Sequence, residues 1–164
     1  MTTISDTHLV SAINKSQKMD FMEKELVCDE IFIDQPNLLA SVLVQQKMGN
    51  SLEDVDVLLN ILIVLHLAIK ESEQRISIIT EDELEHQLKI FVSTVKFTEG
   101  MDGYFVDRSL SQYIAAHREC VLLAYVIGVM KDANYFENKN ESSKFLIMSG
   151  INLVNCIANA KRVV

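Results

Sequence analysis

Proline is almost missing from this chain, with one in 164 residues, and there are only five glycines and no tryptophan. An all-β sandwich or barrel reverses direction about every 8–12 residues and needs turn formers to do so, so this scarcity favours helices. Cysteine is also sparse. Cys28, Cys120 and Cys156 are odd in number, far apart and in apolar helical contexts, which does not suit a disulfide framework. The expectation is three reduced, buried thiols. Residues 1–20 contain no apolar stretch of the kind a secretory signal requires, and with the thiols this points to a cytoplasmic protein.

Basic clusters are lacking as well. The formal net charge is −8, and nothing resembles the lysine and arginine stripe that phosphate binding needs, so nucleic acid is excluded as a partner. The charge is unevenly placed. Residues 1–104 carry 8 basic and 18 acidic side chains, whereas residues 105–164 carry 7 and 5. An acidic part facing a near-neutral one can steer a basic partner or orient self-association, although acidity also serves plain solubility. A membrane span is missing too. A spanning helix needs about 20 apolar residues, but the longest uncharged stretch, residues 57–69, has 13 and includes Asn60 and His66. Charges crowd both of its ends: Asp54 and Asp56 before it, Lys70, Glu71 and Glu73 after it.

What is present is a segment, residues 51–73, apolar on nearly every side, and such a helix has to be buried all round. The expected fold is therefore all-α: one domain over residues 1–164, a bundle of five to six mainly antiparallel helices around a central helix at about 52–73. The first few residues and the polar 132–141 loop are expected to be mobile. Residues 6–32 read as one frayed helix or two. Asp34 suits a cap before Pro36, and Gly49 with Asn50 suits a left-handed helix end ahead of Ser51, which caps the central helix. Thr80 and Glu83 have capping-box spacing. A long apolar helix at 106–130, with a possible break at 116–118, and a last helix at 141–160 complete the reading.

Candidates for chemistry are few. Glu83 and His86 have the Glu-x-x-His spacing of helical di-metal sites, but the motif occurs once where such sites need it twice, so no metal and no cofactor are expected. His117 projects with Leu110, Tyr113 and Val121, and Cys120 lies on a neighbouring part of that face. Tyr113, His117, Cys120 and Tyr125 therefore form a candidate inter-helix ligand pocket, against the plainer account of a hydrogen-bonded core histidine. His66 has the same two readings. Asp56 and Asn60 form a narrow polar strip on the central helix, either solvated or setting its packing register. Tyr135 and Phe136, aromatic within a polar loop, are the candidate interaction surface.

No catalytic set stands out. The expected role is non-enzymatic: a regulator, adaptor or immunity- or inhibitor-type protein that binds a protein partner or itself as a homo-oligomer, without membrane or nucleic acid. The other reading is a ligand- or metal-binding bundle or enzyme with its pocket near His117.

Overall fold

Short local rules set where the helices start. In the computed structural model, which describes residues 3–96, 103–138 and 140–164, Ser5, Asp20, Ser51 and Thr80 each accept a hydrogen bond from the backbone N–H three residues on. The residue at that third position returns its side chain to the cap, which satisfies two of the amides a helix start leaves open. Eight helices follow among the described residues: α1 Asp6–Lys18, α2 Phe21–Asp34, α3 Pro36–Leu43, α4 Leu52–Glu71, α5 Glu81–Lys96, α6 Gly103–Ala116, α7 Cys120–Asp132 and α8 Glu141–Asn159. The chain is all-helical and forms one domain.

The count exceeds the five or six expected, because two apolar stretches are each cut in two. The N-terminal region breaks at Met19 and Asp20, where Asp20 caps a new helix. The 106–130 stretch breaks at His117–Glu119. There the Glu119 N–H donates to His117 Nδ1 at 3.0 Å, and the Glu119 carboxylate, 1% exposed, accepts from the Ile4 N–H and from Arg162. The break thus sets the carboxylate on partners 115 and 43 residues away in the chain. Gly100 and Gly103 suggest a loop over residues 99–104, most of which lies outside the described residues; α6 begins at Gly103.

The central helix appears as α4. Its residues from Ile61 to Ala68 are all buried, and it packs against α1, α2, α3, α7 and α8. A second helix is equally enclosed: α8 is buried from Gly150 to Ala158 and packs on α3, α4, α5 and α7. Gly150 lets α7 approach closely, since a Cβ there would lie 2.8 Å from Met130 Sδ and 3.3 Å from Val126 Cγ1. Gly49, at φ +93°, ends a 3-10 turn over Val44–Met48 in the left-handed conformation glycine favours.

Asp34 is not the expected cap. It remains the last residue of α2, and Gln35, 6% exposed, occupies the junction with α3. The Gln35 amide donates to the Ser77 carbonyl and accepts from the Ile79 N–H, both at 2.9 Å, which fastens the α4–α5 connector to α3. The same connector pairs with the C-terminal residues: Ser77 N–H donates to the Lys161 carbonyl, and Val163 N–H to the Arg75 carbonyl.

The three thiols are not alike. Cys156 is buried, Cys28 half-buried and Cys120 exposed. Cys120, expected to be buried on the face next to His117, is instead exposed, because it opens α7 after the break and so sits at a helix end.

Candidate functional site

Helix α2 is apolar on two sides and can bury only one. Its inner side is thin: Val27 and Ile31 are buried, Cys28 and Lys24 half-buried, and Lys24 Nζ donates to Asn60 Oδ1 on α4 at 3.0 Å. Asn60 in turn donates to the Asp56 carbonyl at 2.8 Å, so the polar strip of α4 is where α2 rests. At the other end of the contact Glu30 accepts from Lys70 at 2.8 Å and lies 3.2 Å from His66 Nε2. Those bonds, Lys70 first and His66 second, hold the Glu30 carboxyl below its ordinary range.

The outer side of α2 carries Phe21, Met22, Leu26, Phe32 and Ile33, exposed by 81, 72, 65, 65 and 73%. A helix advances about 100° per residue, which places Phe21 with Phe32 in one row and Met22, Leu26 and Ile33 in another. Glu25 and Asp29 run between the rows, and neither enters an ion pair among the described residues. Their field is felt nearby: burial first, then Asp29 and Glu25, raises the Cys28 thiol. Isolated exposed apolar side chains are ordinary, but five large ones on one helix, around two carboxylates, form a patch. Four of the five, Phe21, Met22, Leu26 and Phe32, belong to an apolar stripe over residues 6–32 that Lys15, Ser16, Gln17, Lys18 and Asp20 interrupt in the sequence. Which side of α2 faces the core is not legible there, because the stripe wraps two sides.

The residues nominated near His117 partly come together. Asn155 Oδ1 receives the Tyr113 hydroxyl at 3.2 Å and lies 2.7 Å from His117 Nε2, and the Tyr113 and His117 rings meet edge to face at 5.8 Å. Both histidine nitrogens are thus engaged, one with Asn155 and one with the Glu119 N–H. Cys120 is exposed, and burial pushes the Tyr125 hydroxyl up to about 12. Tyr135 is 5% exposed, and its hydroxyl donates to Asp54 at 3.0 Å. Phe136 packs half-buried against the core. His86 is exposed, while the Glu83 carboxylate turns back to Thr80. No group of three or more metal-ligating side chains occurs among the described residues, and no described helix is long and apolar enough to cross a membrane.

One concave region is chiefly apolar. A groove of about 430 Å³ lies between α3 with its 3-10 extension, α5 and α8, and is lined by Val44, Met48, Leu84, Leu88, Phe145 and Met148. Asn152 of α8 also lines it, 6% exposed; its amide nitrogen donates to the Leu84 carbonyl, but its Oδ1 accepts nothing from the described residues. A buried carbonyl without a partner costs about 1–3 kcal/mol, which makes this atom notable. A more polar cleft lies between the start of α4 and the α7–α8 connector, lined by Asn50, Asp54, Tyr135, Asn140 and Ser143 among others. No family model, curated protein or solved structure matches the chain.

Proposed function

We propose that this protein is a binding module that docks a cationic amphipathic segment of a partner protein on the outer side of α2. The carrying observation is the pair of apolar rows with Glu25 and Asp29 between them, in no ion pair among the described residues. A segment with lysines or arginines set between apolar side chains complements that pattern in both respects. A second copy of the chain fits less well, because a two-fold axis would bring the same carboxylates face to face. The apolar rows also do not suit an anionic lipid surface, which the carboxylates would repel. The three free cysteines support a reducing, intracellular setting for the encounter.

The affinity this face can provide is modest. Covering five side chains already one-fifth to one-third shielded recovers about 7 kcal/mol gross, at about 2 kcal/mol for each complete burial. Association costs at least ~4 kcal/mol, which leaves weak binding unless the charges contribute. Binding should therefore be salt-sensitive. A fluorescent helical peptide of alternating leucine and lysine character, followed by anisotropy, tests this. Wild type should bind it at low salt and release it at high salt, and Glu25→Lys with Asp29→Lys should abolish binding. Equal binding by the charge-reversed protein defeats the proposal, as does light scattering showing a dimer that Phe32→Asp dissociates.

A further inference from the structure

Helix α6 is held on the fold by little burial. None of its described side chains is buried, and Leu110, Tyr113 and Ile114 are half-covered against the core. Its side-chain hydrogen bonds to the other described elements gather at its C-terminal end. The Tyr113 hydroxyl donates to Asn155 Oδ1 of α8 at 3.2 Å, and His117, just past the helix, places Nε2 2.7 Å from the same oxygen.

The backbone fixes which nitrogen of that ring carries the proton. The Glu119 N–H can only donate, and it meets His117 Nδ1 at 3.0 Å; Nδ1 therefore holds a lone pair, and the ring proton sits on Nε2 toward Asn155. A protonated imidazole has N–H on both nitrogens, so its Nδ1 would oppose the Glu119 N–H, donor against donor. We propose that this joint is a proton-operated latch: neutral His117 holds α6 to α8, and protonation of His117 releases α6 about the His117–Glu119 break.

The groups around the ring do not favour its protonated form. From α6 comes Tyr113, backed by Phe91 of α5, from α8 the neutral Asn155, and α7 opens with Cys120, an exposed thiol. The Glu119 carboxylate is 1% exposed and committed to the Ile4 N–H and to Arg162. Burial lowers the Arg162 guanidinium, Glu119 opposes this and Arg118 adds to it, so an imidazolium would be a third cation around one carboxylate. The latch is therefore closed above the range in which imidazoles titrate and loosens as the pH falls through it. Release uncovers Phe91, 6% exposed, whose ring lies 6.0 Å from that of Tyr113. None of these residues lies on α2, so the latch stands apart from the docking face.

Nuclear magnetic resonance of the isotope-labelled chain tests each step. At mildly alkaline pH, long-range imidazole spectra should show His117 with its proton on Nε2; a proton on Nδ1 overturns the proposal without any variant. As the pH falls, the Glu119 amide should shift in step with the His117 ring. The α6 amides, corrected for the intrinsic effect of pH, should then exchange about tenfold faster relative to those of α4. His117→Phe cannot titrate, and its α6 exchange should be fast and the same at every pH. Tyr113→Phe should loosen α6 several-fold at every pH and keep the pH dependence. The proposal is overturned if wild-type α6 exchange is insensitive to pH, or if Tyr113→Phe loses the dependence. It is overturned equally if His117→Phe keeps the dependence, which would assign it to another group such as His8, His66 or His86.

Discussion

Replacing Gln35 by leucine should destabilise the protein far more than its place between two helices suggests. The side chain is 6% exposed and makes two hydrogen bonds of 2.9 Å, one given to the Ser77 carbonyl and one taken from the Ile79 N–H. Leucine has similar bulk and can make neither. The Ile79 side of the loss is the heavier, because Ile79 is 1% exposed and a buried N–H left without an acceptor costs about 1–3 kcal/mol. The Ser77 carbonyl is only half-buried and adds about 0.5–1 kcal/mol. Better burial of leucine returns about 1 kcal/mol, which leaves a net loss of about 2 kcal/mol. For a chain of this size that lowers the melting temperature by about 4–8 °C, readable by calorimetry together with the urea midpoint. Gln35→Glu sharpens the test. At neutral pH the carboxylate still accepts from Ile79 but opposes the Ser77 carbonyl; its folded pKa is therefore raised, and its deficit against wild type should shrink as the pH falls and the acid becomes a donor. A Gln35→Leu protein within about 0.5 kcal/mol of wild type would refute the reasoning.

Three further outcomes follow from the same geometry. Phe32→Asp and Ile33→Asp, on the exposed side of α2, should each leave the urea midpoint within about 0.5 kcal/mol of wild type, whereas Ile31→Ala beside them should cost about 2–5 kcal/mol, since Ile31 is wholly buried. Thiol labelling at mildly alkaline pH, read by mass spectrometry, should modify exposed Cys120 first, Cys28 more slowly because burial and its acidic neighbours raise it, and Cys156 only on unfolding, since burial and then Glu83 push it up to about 12. Glu30 titrates below its ordinary value because Lys70 and His66 hold its carboxylate. A depressed carboxyl contributes stability above the unfolded-state pKa and loses it as pH falls through the folded one, so the difference between wild type and Glu30→Gln should vanish in strong acid. A difference that grows on acidification would reverse that sign.

Ser51, Thr80 and Pro36 could be read as helix starts because caps obey rules spanning three or four residues, and α4 because an apolar sequence on all sides has one physical outcome. Gln35 and Glu119 gave no such signal. Their partners lie 42 to 44 residues and 43 to 115 residues away, and no local pattern reports a bond of that span. The same holds for Asn152 and Asn155 of α8, whose partners Leu84 and Tyr113 lie 68 and 42 residues away on α5 and α6. The α2 patch failed for a different reason. Its apolar residues were evident, but periodicity cannot say which of two apolar sides a helix turns outward.

The Glu119 carboxylate joins Ile4 to Arg162, and the C-terminal residues pair with the connector after α4. In mechanical terms the chain is a loop with a clasp. Tension applied at Ile4 and Arg162 would load these polar contacts together with the hydrophobic interior, because Ile4 is 1% exposed and belongs to the core. Topologically, the segments around residue 4 and residue 162 meet at one carboxylate, so the first and last described parts of the fold are tied through a side chain that belongs to neither.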